Sequence, residues 1–334
     1  MNEHQMSFMD DRYEKMLYNR CGNSGLLLPA ISLGAHETFG SYRDEDTTRA
    51  CLYRAFDLGI THFDLANNYG RPPGTAELIV GKILKSMPRD ELIISSKAGY
   101  HMWEGPYGEW LSKKSLVASL DQSLRRLKLE YVDIFYAHRP DPQTPLEETM
   151  EALDLIVRQG KALYIGVSNF SGVQLEQAIQ VRQRMNLSPI TVDQQRYNLL
   201  ERHCEQDLFG HTERNGIGVI AFSPLSKGVL SNKYLGNQLP EDSRAVNIWG
   251  KKSLHEVSSR AKLDKVQQLN LLAQQRGQTL AQMAIAWSLY HPAVTSVLIG
   301  ASRVEQIEEN VAALQNLEFS PLELNAINAI CLSS

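Results

Sequence analysis

Eight short apolar segments recur along the chain between residues 30 and 299, and helical sequence follows each of them. That rhythm constrains the fold more than any other feature. The segments are Ala30–Leu33, Thr61–Asp64, Leu92–Ser95, Val132–Tyr136, Ala162–Gly166, Ile190–Asp193, Gly218–Ala221 and Thr295–Ile299. They are β-branched and nearly continuous in hydrophobicity, the pattern of parallel strands buried on both faces. Between them, Thr47–Leu58, Lys113–Leu127 and Leu146–Arg158 carry apolar residues at helical spacing. Gly59, Gly160 and Gly216 fall at helix-to-strand turns, where a residue tolerant of positive φ is needed. Eight βα units in 334 residues predict an α/β protein, a closed (β/α)8 TIM barrel, with an open doubly wound sheet as the competitor. Residues 1–334 read as a single barrel domain. Residues 15–29 predict an N-terminal hairpin around Gly22–Gly25 covering the bottom of the barrel, 225–257 a long loop after the seventh strand, and 321–332 an extra C-terminal helix packed outside.

Composition narrows the function classes. With 34 Lys and Arg against 38 Asp and Glu, the net charge of -4 disfavours a nucleic-acid partner. No apolar stretch is long enough to predict a membrane span. The four cysteines, Cys21, Cys51, Cys204 and Cys331, lack metal-ligand or CxxC spacing and read as reduced thiols. The first residues show no apolar signal core, so the expected location is cytoplasmic.

Barrel geometry then orders the polar residues. Asp64 ends the second strand, Tyr69 follows in FDLANNYG, Lys97 ends the third strand in ISSKAG, and His138 ends the fourth in DIFYAHR. Each has a plain structural use alone: an Asp caps a turn, a Tyr packs, a Lys is a surface charge, a His is satisfied in the core. Adjacent strand ends bring all four to one patch of the rim where barrel enzymes place their sites. A lysine cation beside a tyrosine is expected to lower the phenol pKa from about 10. Asp64 would hold that lysine charged, and His138 would hydrogen-bond a carbonyl oxygen or relay the proton. The set can polarise a carbonyl and protonate the developing alkoxide. No serine or cysteine joins it, which points to a bound hydride donor. A metal hydrolase is the rival: His62 and Asp64 share a strand face, yet further ligands are not evident, so no metal is assigned.

No GxGxxG follows an opening strand. Instead Ser168 and Asn169 in GVSNFS, with Gln194 on the sixth strand, could bind a carboxamide such as that of nicotinamide. Phe222 and Ser223 follow the seventh strand, where an aromatic could stack on a flat ring. After the eighth, Gly300, Ala301 and Ser302 lead into a helix N-terminus suited to phosphate, with Arg303 adding charge. Gln306 and Asn310, four apart, can share a helix face toward an adenine; the plainer alternative is a helix capped by Ser302.

With these residues in order, the chain resembles the aldo-keto reductases over nearly its whole length. The branch it is most similar to contains the potassium channel β subunits and bacterial glyceraldehyde 3-phosphate reductases. FDLANNYG, ISSKAG, DIFYAHR, GVSNF, AFSPL and LIGAS carry the likeness. It implies a barrel binding NADPH/NADP+ and reducing small aldehydes, L-glyceraldehyde 3-phosphate above others and methylglyoxal beside it. It assigns Tyr69 as general acid, Lys97 and Asp64 as its tuners, and His138 as the carbonyl's partner. It places Ser223, Leu225, Gly228 and Lys233 at the pyrophosphate, and Ser302, Gln306, Glu309 and Asn310 at the adenosine end, with Gly300 in the same turn. Arg244 resembles the branch's basic residue for the 2′-phosphate, with Arg303 a second candidate.

For the substrate, the branch often carries an aromatic after its first-strand glycine, where this chain has Ala35 and His36; these would reshape the pocket, Phe39 would supply apolar wall, Trp103, Tyr107 and Trp110 would line it with Tyr69, and Arg71 or Arg139 would meet a substrate phosphate. A homo-tetramer or homo-octamer is implied. A cofactor-sensing regulatory subunit and an alcohol-oxidising enzyme are the alternatives.

Overall fold

The computed structural model describes residues 8–232 and 260–332. A two-stranded antiparallel hairpin, β1 (Tyr18–Arg20) and β2 (Leu27–Pro29), opens the fold. Eight parallel strands follow: β3 (Ile31–Gly34), β4 (His62–Asp64), β5 (Ile93–Ala98), β6 (Val132–Ala137), β7 (Ala162–Ser168), β8 (Ile190–Arg196), β9 (Gly218–Phe222) and β10 (Val294–Ile299). They pair in chain order, and β10 returns to β3, closing the barrel. The strands are almost wholly buried, which explains their unbroken apolar sequence.

Helices ring the barrel. They are α1 (Glu45–Asp57), α2 (Thr75–Leu84), α3 (Lys113–Leu127), α4 (Leu146–Arg158), α5 (Gly172–Met185), the short pair α6 (Cys204–Asp207) and α7 (Phe209–Asn215), then α8 (Arg260–Gln275), α9 (Leu280–Tyr290), α10 (Val304–Val311) and α11 (Pro321–Leu332). Local signals set several starts. Asp44 accepts from Thr47 N, Ser112 accepts from Ser115 N, and Ser171 with Gln174 and Thr279 with Gln282 form reciprocal capping boxes. The C-terminal helix α11 packs on α8, outside the barrel. No helix among the described residues is long and apolar enough to cross a membrane.

The hairpin closes the barrel's N-terminal end. Cys21, Leu26 and Leu28 bury among the inward-facing Ile134, Tyr136, Val192, Ile220 and Leu298. The approach is close: a Cβ on Gly22, which sits at φ +55°, would lie 2.0 Å from the Gly216 carbonyl oxygen. Only glycine allows that contact without moving the turn.

Candidate active site

The functional groups collect at the opposite, C-terminal end. Asp64 is the last residue of β4, Lys97 the penultimate residue of β5, and His138 directly follows β6. Strand pairing fixes their spacing, with Asp64 beside Ser95 and Lys97 beside Tyr136. Tyr69 comes from the loop after β4. Its own carbonyl accepts from Gly74 N and Ala76 N at the start of α2, which anchors the loop.

Lys97 and Asp64 form a fully buried ion pair through Nζ and Oδ2. Lys97 Nζ also donates to Leu65 O at 2.7 Å. Ser95 Oγ donates to Asp64 Oδ1 at 2.6 Å, and Gln194 Nε2 approaches the same oxygen at 3.1 Å. Lys97 Nζ lies 5.2 Å from the Tyr69 ring centroid, and the Tyr69 and His138 rings are 5.8 Å apart. Tyr100 meets His138 edge-on at 4.7 Å, and His36 meets Tyr69 at 4.8 Å.

Burial dominates the electrostatics. It pushes the Tyr69 hydroxyl well above the usual phenol range, and the charge of Asp64 adds to the effect. This reverses the expected lowering by Lys97. The ammonium is turned to Asp64 and the Leu65 carbonyl, and burial penalises the phenolate more than the cation at this distance relieves it. Burial likewise pushes Lys97 down against the opposing pull of Asp64. His138 is held neutral, far below the usual histidine value, by burial and then by Lys97. Both ring nitrogens of His62 are within hydrogen-bond distance of hydroxyls, Ser32 Oγ and Ser95 Oγ, each at 2.9 Å.

A cavity of about 1030 Å³ opens over these residues and runs across the strand ends to α10. Asp64, Tyr69 and His138 line one end, with His36 beside them. Ser168, Asn169, Gln194, Phe222, Ser223, Leu225 and Gly228 line its middle, and Gly300, Ser302, Gln306, Glu309 and Asn310 the far end. Lys233 and Arg244 lie outside the described residues.

Two of the loop residues adopt left-handed backbone, Asn169 at φ 61° and Ser223 at φ 56°. Asn tolerates that region, while Ser there stores strain of a kind that gathers at ligand sites. Asn169 Nδ2 donates to His138 O and Ser168 Oγ, both at 3.0 Å, tying this loop to the catalytic strand. At the far end, Ser302 is not a simple cap. Its N–H and hydroxyl both reach Gln306 Oε1, at 2.9 and 3.1 Å.

The substrate-side residues divide. Arg71 lines a second cavity of about 350 Å³, whose wall shares His36, Glu37, Asn68 and Tyr69 with the first. Phe39 does not line either space, because it is 2% exposed and packed into the core. Trp103, Tyr107 and Trp110 also lie off both cavities. Arg139 is turned away from a phosphate role: Nε donates to Gly99 O at 3.1 Å, Nη2 pairs with Glu109, and the guanidinium stacks 3.9 Å over Trp110 and 4.3 Å over Tyr100. That cluster braces the ring beside His138.

Sequence reasoning missed Arg43, Asn68, Tyr100, Arg196 and Lys227, all of which line the large cavity. Arg196 was within reach, since it lies two residues beyond Gln194 on one strand face. Arg43 and Lys227 gave no periodic signal.

A dinucleotide fits the residues present. The cleft offers amide-bearing side chains at its centre, one aromatic wall, and backbone donors at α10, with Arg43, Arg196, Lys227 and Arg303 adding positive charge along it. The aldo/keto reductase family model matches residues 30–331. L-glyceraldehyde 3-phosphate reductase of Escherichia coli (strain K12) is 51% identical over 324 residues, covering 95% of this chain and 93% of that one. A putative voltage-gated potassium channel subunit beta of Schizosaccharomyces pombe is 38% identical over 320 residues, covering 92% and 91%. A probable voltage-gated potassium channel subunit beta of Oryza sativa subsp. japonica is 36% identical over 328 residues, covering 95% and 97%. The barrel, its four rim residues and these matches agree: the chain belongs to the aldo/keto reductase family of NADP(H)-linked oxidoreductases.

Proposed function

We propose that the chain reduces small phosphorylated aldehydes, with L-glyceraldehyde 3-phosphate the best substrate and methylglyoxal a poorer one. The observation that carries this reading is the second cavity: it adjoins Tyr69, is small enough to suit a triose, and bears Arg71 and His36 on its wall. The similarity to L-glyceraldehyde 3-phosphate reductase supports it.

When bound, NADPH supplies the hydride. Ser168, Asn169 and Gln194 would hold its carboxamide and Phe222 its ring, with Ser223, Leu225 and Gly228 at the pyrophosphate. Gly300, Ser302, Gln306, Glu309 and Asn310 would meet the adenosine end. Arg303 lines the cavity and is a candidate for the 2′-phosphate beside Arg244; Arg244, and Lys233 at the pyrophosphate, lie outside the described residues.

Tyr69 waits as the neutral phenol, the form a general acid requires, and gives its proton to the carbonyl oxygen as the alkoxide develops. The alkoxide is the stronger base, so a tightly held phenol proton still transfers. Neutral His138 orients the carbonyl, while Lys97 and Asp64 set the field around Tyr69. Assembly into a homo-tetramer or homo-octamer in the cytoplasm completes the reading, and sedimentation tests the assembly.

The substrate test is NADPH oxidation with both glyceraldehyde 3-phosphate enantiomers, glyceraldehyde and methylglyoxal. The L-phosphotriose should give the highest kcat/KM. Arg71→Ala should raise its KM about tenfold, the worth of one charge-assisted contact, and leave methylglyoxal unchanged. Equal effects on both aldehydes would remove Arg71 from the phosphate. Tight NADPH binding with no turnover on any aldehyde would favour a regulatory subunit.

A further inference from the structure

The imidazole of His138 lacks the usual means of being aimed. Its backbone is fixed on both sides, the N–H donating to Ala98 O at 2.9 Å and the carbonyl accepting from Asn169 Nδ2 at 3.0 Å. The ring is buried, and Nδ1 has no hydrogen-bond partner among the described residues. A histidine that works on a substrate is ordinarily oriented by a hydrogen bond to its second ring nitrogen. Here the torsion of the ring is left to the aromatic rings around it. Tyr100 stands nearest, 4.7 Å away and perpendicular at 89°, with Tyr69 at 5.8 Å.

Tyr100 has its own support. The Arg139 guanidinium lies 4.3 Å over its ring and 3.9 Å over that of Trp110. The same group is tied at its edges, through Nε to Gly99 O at 3.1 Å and through Nη2 to Glu109. A planar cation can meet aromatic faces and a fork of acceptors at once, which an ammonium cannot do. Trp110 reaches this stack from left-handed backbone, φ 70°, where a bulky side chain is strained. Its turn is held from both sides: Trp110 N donates to Gly99 O at 3.1 Å, and Leu111 N donates to Asp141 Oδ2 at 2.9 Å. Strain of this kind persists only where the surroundings impose it, and it gathers at working sites.

We infer that Arg139 and Tyr100 are positioning residues for His138: Arg139, stacked on Trp110, fixes the plane of the Tyr100 ring, and that ring fixes the tilt of the imidazole in place of a hydrogen bond to Nδ1. Trp110 lies off both cavities, while Tyr100 lines the large one beside His138. The loop after β5 therefore serves the group that meets the carbonyl, and only its Tyr100 touches the cleft. The Arg139 cation contributes in a second way. After burial, Lys97 and His36, it disfavours the imidazolium and helps keep the ring neutral.

The kinetic consequence rests on the proposed role of His138 at the carbonyl, and a double-mutant cycle keeps the two apart. Turnover is counted per NADPH-binding site, so loss of folded protein does not enter. Arg139→Met should lower kcat about 30-fold, the cost of a misaimed group, with the aldehyde KM changed by less than about threefold. In the His138→Asn background the same substitution should cost less than about threefold. An equal fall in both backgrounds, or no fall in the wild-type background, overturns the inference. Arg139→Lys keeps a charge for Glu109 but cannot stack flat, so it should lose kcat nearly as far; full turnover in that variant also overturns it. Normal turnover by His138→Asn alone would remove His138 from the reaction, and the orientation of the ring is then read directly. With histidine isotopically labelled at Cε1, the His138 resonance is identified by its loss in His138→Asn. It should carry the ring-current shift of Tyr100 in the wild type and move in Arg139→Met. A resonance at the same position in both proteins overturns the positioning role.

Discussion

The two halves of the barrel mouth are built on opposite principles. On the β4–β6 side, the groups sit on strand ends, are buried, and hold one another: Lys97 on Asp64, Ser95 on Asp64, and Tyr100 against His138. On the β7–β10 side, they sit on loops and a helix start, line an open cleft, and include residues in left-handed backbone at Asn169 and Ser223. The first half resembles a piece of core that happens to be ionisable. The second is the wall of an open cleft. Removing a group from the first should damage chemistry and folding together. Removing one from the second should weaken a ligand and leave the fold intact.

The sharpest break in this contrast is Tyr69→Phe, which removes the transferable proton but keeps the ring. Reduction should fall about 10³-fold while NADPH titrates normally, followed by cofactor fluorescence. Comparable loss of binding would merge the two halves. Next is Lys97→Met, which leaves Asp64 charged and unpaired in the interior. It should cost about 3–5 kcal/mol in thermal or denaturant unfolding. Its counterpart across the mouth, Gln306→Ala, should lower NADPH affinity about tenfold and change unfolding by under about 0.5 kcal/mol.

The smallest effect is pH-dependent. Folded His138 stays neutral well below the pH at which the unfolded chain takes up its proton. Its stability contribution is therefore intact above about 6.5 and declines as pH falls through that value. Melting at pH 5.5 should show a loss of about 1 kcal/mol relative to pH 8 that His138→Asn lacks. An identical acid response in the variant would assign the loss elsewhere.

The same contrast explains what could be read in advance. Strand ends are visible in sequence, because an unbroken apolar run terminates in the residue that matters: HFD at Asp64, ISSKA at Lys97, FYAH at His138. Helix faces are visible too, which is why Gln306 and Asn310 fall on one cavity wall. What stayed hidden depends on closure. Period-two alternation sets His62 beside Asp64, but only barrel register brings Ser32, Ser95 and Ser296 from three other strands to meet it. The proton affinity of Tyr69 is not legible either, because the sequence shows Lys97 as a neighbour and does not show the burial of the hydroxyl. Arg139 follows a rim residue in the sequence, yet Glu109, Trp110 and Tyr100 capture it, and nothing local announces that.

The plug that Cys21, Leu26 and Leu28 drive into the far end decides where exchange takes place. With that end filled by packed side chains, a ligand of the described residues is exchanged at the opposite rim, where the cavity lies, and the floor is left to serve stability alone.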